Sequence, residues 1–200
     1  MIIMRYGKQH KAEVRHRIVR AAAAKLRNQG LHGPSVPALM KGAGLTHGGF
    51  YAHFRGRDEL VAEAVRTAAE ETADRVFRAA PDLETVLGSY LSEEHMRNAD
   101  TGCVVAALGP DGSRNGRRIR SVFAHVAEGL ARLVDEKIRR REPDDAISDR
   151  ALAVTAQMVG AIVLGRLIAD PELASRTLRA ARDAALRNDD RNETNIAANG

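Results

Sequence analysis

Apolar residues recur three or four positions apart along nearly the whole chain, and no stretch alternates apolar with polar residues for long enough to make a strand. That spacing predicts an all-α fold, and abundant alanine favours helix independently of the pattern. The length of 200 residues suits one domain of ordinary size or two small ones sharing a core. Enough Leu, Ile, Val and Ala is present to fill a core, and the net charge is only +5, which excludes a disordered chain. No window approaches the roughly 18 consecutive apolar residues of a spanning helix; the longest run, 151–164, is interrupted by Gln157. The apolar opening from Met1 to Met4 is too short for a secretory segment. A cytoplasmic protein without a membrane partner is therefore expected. With Cys103 the single cysteine, an internal disulfide and a cysteine-rich zinc site are both excluded.

Charge divides the chain. Residues 1–57 carry eleven Lys or Arg against one acid, Glu13, a net of +10 that leaves −5 for the rest. A basic head on a mildly acidic body predicts that the head meets a polyanion and the body does not. The pattern within the head sharpens this. A first helix is predicted over about 11–29, with Val14, Ile18, Ala21, Ala22 and Leu26 as its apolar stripe and Gly30 as its stop. A short second helix starts near Ser35, a capping residue, and tolerates Pro37 in its first turn. It buries Val36, Leu39 and Met40 and ends at Gly42 to Gly44. Thr46 then caps a third helix over 47–53 that buries Phe50 and Phe54. Two short helices joined by a glycine turn behind a longer one make a helix-turn-helix, whose second short helix lies in the DNA major groove. The exposed residues there are His47, Gly48, Gly49, Tyr51 and Ala52, with Thr46 and His53 at the ends.

Three runs, Gly30-Leu31-His32-Gly33-Pro34-Ser35-Val36, Ala43-Gly44-Leu45-Thr46-His47-Gly48-Gly49-Phe50-Tyr51-Ala52-His53-Phe54 and Arg57-Asp58-Glu59-Leu60-Val61, resemble the DNA-binding head of the TetR/AcrR transcriptional regulators. The likeness covers about residues 14–65. It implies phosphate contacts from Thr46, Tyr51, His53 and Arg57, and a groove-facing surface of His47, Gly49 and Ala52. Pro37 and Gly49 depart from the family pattern, which often has a polar or basic residue and a hydroxyl at these places. Gly48 and Gly49 each disfavour helix by roughly 1 kcal/mol relative to Ala. With Ala52 also small, part of the specificity is expected to come from DNA shape.

The family layout implies an N-terminal three-helix helix-turn-helix head over 1–56, a larger helical ligand-binding and dimerisation body over 57–187, and a polar tail over 188–200. In the body, helices are predicted from Arg57 to about Ala79, over 83–96 and from about Asn115 to Arg141, where Arg139 to Arg141 suit the helix dipole. Residues 103–108 form a short apolar segment and 109–116 a loop. Two last helices follow, at about 146–169 and 171–187. The first is apolar on more than one face, and a helix apolar all round is buried all round; in so small a body the extra face predicts a partner subunit. A homodimer through these two helices also matches the family and the symmetry of a palindromic site. Candidate effector contacts are Tyr90, Met96, Cys103, Val104, Phe123 and Val126, each of which also suits an ordinary core. Cys103 follows Gly102 at a predicted helix start, where thiols are reactive. Some relatives with such a pair sense electrophiles, while a buried free cysteine is otherwise inert. His95 and His125 lack a third ligand for a metal, and no cofactor is expected. No phosphate loop or nucleophile motif points to an enzyme. The reading is a regulator, a repressor released from a palindromic operator by a small molecule; an electrophile sensor of the same fold and an architectural DNA-binding protein are the alternatives.

Overall fold

A computed structural model describes the backbone of residues 3–139 and 146–197, and the side chains of 9–139 and 146–187. Its elements are α1 (Ile3–Gln29), α2 (Val36–Gly42), a 3-10 helix (His47–Ala52), α3 (Arg57–Thr72) running into a π-helical segment (Ala73–Arg78), α4 (Leu83–Tyr90), α5 (Glu93–Arg97), α6 (Val104–Ser113), α7 (Arg117–Arg139), α8 (Asp149–Leu167) and α9 (Pro171–Ala197). No strand occurs among the described residues, as the spacing of apolar side chains requires.

The chain forms two compact units, one of Met1–Glu71 with Ala99–Val126 and one of Thr72–Asn98 with Ala127–Gly200. Residues 1–56, expected as the head, fall in the first unit together with 57–71 and 99–126. The reason is a continuous core: Ile18, Ala22 and Leu26 of α1 and Leu39, Phe50 and Phe54 of the short helices pack with Leu60, Val61, Val65 and Ala68 of α3 and with Val104, Leu108, Ile119, Val122 and Phe123.

Several boundaries differ from the sequence expectation for local reasons. α1 begins at Ile3 rather than near Lys11, because only Gly7 opposes helix in between. It ends as expected at Gly30, which takes φ +80°, a region L side chains avoid. The single helix expected over 83–96 is two, since the Ser92 hydroxyl accepts from the His95 N–H at 3.1 Å and starts a new helix from extended backbone. The loop expected at 109–116 is helical to Ser113 with Pro110 inside. Turn chemistry yields here to packing. Asp111 Oδ2 accepts from the Leu31 N–H at 3.1 Å, and the Phe123 ring lies where a side chain on Gly112 would have to be. Arg140 and Arg141, expected to close α7, lie outside the described residues. α9 is helical to Ala197, past the tail boundary at 188, because nothing in the polar run breaks a helix already under way.

In the second unit α8 packs along α9. Arg166 donates from Nε to the Met96 carbonyl at 2.9 Å, and Ser148 caps α8 by accepting from the Ala151 N–H at 3.2 Å. By length and mean hydropathy, 1.3 over its apolar window, α8 is a candidate membrane span, which an uninterrupted-run criterion did not register. Core helices meet the same criterion. Ala151, Val154, Met158, Ala161, Ile162 and Gly165 are buried.

Asp135 ties α7 to the start of α8. Its carboxylate accepts from the backbone N–H of Ser148 at 3.2 Å and pairs with Arg139 Nε at 3.0 Å. Burial pushes its carboxyl up, but the Ser148 hydroxyl and N–H and the Arg139 guanidinium prevail and hold it below the ordinary value of 3.8. A carboxyl depressed on folding stabilises above its unfolded pKa, and that contribution disappears as pH falls through the folded one. Asp135→Asn should thus lower the midpoint of urea unfolding at neutral pH and shrink the difference from the parent toward zero in acid; a difference constant with pH would refute this.

Candidate nucleic-acid interface

The turn of the helix-turn-helix is set by Gly44 at φ +73°, with Leu45 donating to the Met40 carbonyl at 3.0 Å. Ser35 caps α2 as expected, accepting from the Ala38 N–H at 3.4 Å. Thr46 takes the extended backbone of a cap, but its hydroxyl makes no capping bond and stands exposed. The expected helix over 47–53 is a 3-10 helix, His47–Ala52. Two glycines in six residues weaken the α form, and 3-10 geometry is used in such short pieces.

Phe50 and Phe54 fix this helix from below, their rings stacked with centroids 5.5 Å apart and both buried. Tyr51 points the other way, 72% exposed, held edge-on by Phe50 at 5.2 Å and His47 at 6.3 Å. Thr46, His47, Gly48, Tyr51 and Ala52 are exposed, and Gly49 and His53 half-buried. The sequence-predicted residues of the short helix are thus open to solvent, apart from the half-buried Gly49 and His53. Neither glycine is demanded from within. A Cβ on Gly48 would meet nothing within 4 Å, and one on Gly49 only Met40 Cε at 3.8 Å; neither has positive φ. Their smoothness faces outward.

His53, expected at a phosphate, is only half-exposed. Its Nδ1 is buried without a hydrogen-bond partner among the described residues, and burial, then Lys11 and Arg15, push its pKa down. At neutral pH it presents a neutral ring. Arg57, a further expected phosphate contact, is turned inward: its guanidinium donates to the carbonyls of Leu31 and of Pro34, the latter at 3.2 Å. Arg57 therefore clamps the loop between α1 and α2, which the sequence alone cannot show because the acceptors are backbone groups 23 and 26 residues away.

The head's charge is likewise partly committed. Arg15 lies 4.2 Å over the Phe54 ring and pairs with Glu63 and, at 2.9 Å, with Glu59. The Glu63 hydrogen bond leads in raising its pKa. Glu59 also accepts from the Arg55 N–H at 2.8 Å; that bond first, then Arg15, holds its carboxyl low. Arg20 and Arg27 pair with Glu71 at 3.2 and 3.0 Å, and Lys25 donates to the Ala38 carbonyl at 3.2 Å. Lys11, Arg17, Lys41 and Arg55 remain exposed. The acids of α3 thus offset much of the +10 counted along the first 57 residues.

The candidate effector residues fall into both units. Cys103, Val104 and Phe123 are buried and Val126 half-buried in the first; Tyr90 and Met96 are buried in the second. Each has packing work of its own: Phe123 against Gly112, Met96 against Gly165, and Tyr90 edge-on to His95 at 4.5 Å. His95 and His125 donate from Nδ1 to the Tyr90 and Ser121 carbonyls, both at 2.6 Å. Among the described residues no three metal-ligating side chains gather.

Residues 18–64 match the family model described as bacterial regulatory proteins, tetR family. Over 178 residues the chain is 30% identical to an uncharacterized HTH-type transcriptional regulator of Mycobacterium tuberculosis, covering 82% of this chain and 92% of that one. Among solved structures, a TetR transcriptional regulator of Chloroflexus aurantiacus superposes with TM-score 0.71 at 20% identity, over 88% of this chain and 94% of that one. Escherichia coli NemR in its reduced form gives 0.68 at 15%, over 86% and 95%. An exposed reading surface on a buried aromatic pair, set in a fold and sequence shared with these proteins, places the chain in the tetR family of helix-turn-helix transcriptional regulators, and it acts by binding DNA.

Proposed function

We propose that this regulator is a repressor that works in the cytoplasm as a homodimer on a palindromic operator and leaves it when a small molecule binds the helical body. The observation that carries the dimer is an uncovered apolar face on α8 and α9. Leu164 and Leu167 are 53% and 75% exposed, and Leu152 of α8 and Leu173 of α9 are exposed as well. Ala156 is exposed and Gly160 half-buried on the same side of α8, where a Cβ on Gly160 would meet nothing within 4 Å. Small residues between large ones let a second helix pair approach closely. Contiguous exposed apolar surface of this kind marks an interface, and a single reading head per chain needs a second copy to span two half-sites.

Release is supported by what the DNA-binding unit contains. α6 belongs to it, and Asp111 of α6 holds the Leu31 N–H beside the loop that Arg57 clamps. A ligand that displaces α6 changes the support of the reading helix, provided it binds the two arrangements with different affinity. Cys103 is only 2% exposed, which lends the electrophile-sensor alternative less support. Sedimentation equilibrium should give a dimer for the parent and a monomer for Leu164→Glu/Leu167→Glu, whose affinity for an operator fragment selected from genomic DNA should drop at least tenfold. A monomeric parent at micromolar concentration would overturn the proposal.

A further inference from the structure

We propose that Arg117, Arg118 and Arg120 form a second phosphate-contacting surface, which grips the backbone of the same duplex that the reading helix engages. The inference rests on the DNA-binding assignment and extends it to residues outside the helix-turn-helix. Between Asp111 and Glu128 the chain holds Arg114, Arg117, Arg118 and Arg120 and no acid. All four are exposed. Arg114 pairs loosely with Asp111 at 3.4 Å, whereas among the described residues the side chains of Arg117, Arg118 and Arg120 form no hydrogen bond or ion pair. At about 100° per residue these three fan over the side of α7 opposite Ile119, Val122 and Phe123, which are buried.

Two features separate this patch from an ordinary solvated face. The arginines crowd the first turn of α7, which has no acidic residue, although the dipole there favours negative groups and cations repel one another. Folding alone gains nothing from this arrangement; a polyanion would. Position is the second feature. The patch belongs to the same compact unit as the reading helix, and the turn before it is fastened to the head by Asn115 Nδ2, which donates to His32 Nε2 at 3.1 Å. Arg118 acts electrostatically on Glu59, the residue that binds the Arg55 N–H just past the reading helix. The head's own uncommitted cations are few, since Arg15, Arg20, Lys25, Arg27 and Arg57 are engaged within the protein. Three further arginines on the same unit restore much of that field. Guanidinium groups suit phosphate oxygens, to which they present parallel N–H donors.

The test is binding of mixed-sequence duplex DNA by the full-length protein across a salt series, for the parent, Arg117→Gln/Arg118→Gln/Arg120→Gln and a control, Arg132→Gln/Arg176→Gln, that removes exposed arginines of the other unit. Neutralised phosphates release counterions, so the slope of log affinity against log salt should flatten by about 0.9 for each arginine seated on a phosphate. The triple variant should show this, with its melting temperature unchanged, and the control should keep the parent slope. A triple variant with the parent slope, or a control flattened equally, overturns the proposal. A parent that binds no duplex at all would instead refute the DNA-binding assignment.

Discussion

Phe50→Ala should lower the stability of the DNA-binding unit by about 3–5 kcal/mol, the usual loss for emptying a buried aromatic site, and DNA binding should vanish with it. Phe50 is 2% exposed, stacks on Phe54, and its carbonyl accepts from His53 and Phe54 at 2.9 and 3.0 Å. It joins the short helix to a core shared with α1 and α3. No other buried side chain lies within His47–Ala52, so no neighbour takes over. A typical domain has only about 5–15 kcal/mol in total. Tyr51→Ala, one residue on, should do the reverse: an unchanged melting temperature and affinity for DNA weakened about tenfold, the equivalent of one lost charge-assisted hydrogen bond. Thermal melts and DNA titrations of both variants decide the matter. If Phe50→Ala melts like the parent, the short helix is not held by its aromatic pair.

Gly112→Ala carries the second large effect. A Cβ there would overlap Phe123 Cδ2, and the contact is with an aromatic ring packed in the core, not with the far end of a flexible chain. Overpacking of this kind destabilises by about 1–3 kcal/mol. The residue before it is Asp111, whose carboxylate holds the Leu31 N–H; pushing α6 outward loosens that bond and the loop ahead of α2. The variant should therefore lose DNA affinity as well as stability. Gly112→Ala/Phe123→Leu should regain part of both, with a coupling of about 0.5–3 kcal/mol between the sites. Strictly additive losses would show that glycine and ring do not compete for one space.

The outline of the reading head is legible from sequence because local chemistry sets it. Gly30 and Gly44 stop helices by accepting positive φ, Ser35 caps, and the spacing of Phe50 and Phe54 turns both rings to one side and leaves Tyr51 outside. The candidate effector residues are not legible in the same way. Tyr90, Met96, Cys103, Val104 and Phe123 are apolar or nearly so and buried, and pattern alone cannot separate a residue that lines a site from one that fills a core. The stretch 109–116 misled for a related reason: Pro, Asp and Gly are turn residues in isolation, yet Asp111 and Gly112 each answer to a residue far along the chain.

What the sequence by itself determined was the all-α class, the three helices of the head, the side of the short helix that faces outward and the place of the excess cations along the chain. Only the tertiary structure decided which of those cations are available. Arg57 is spent on backbone carbonyls and Arg15 on two glutamates and a ring, while Arg117, Arg118 and Arg120 join the unit that binds DNA. Periodicity and capping act over three or four residues and can be read along the chain. Ion pairs and packing join residues dozens of positions apart, and those partners are fixed only when the helices meet.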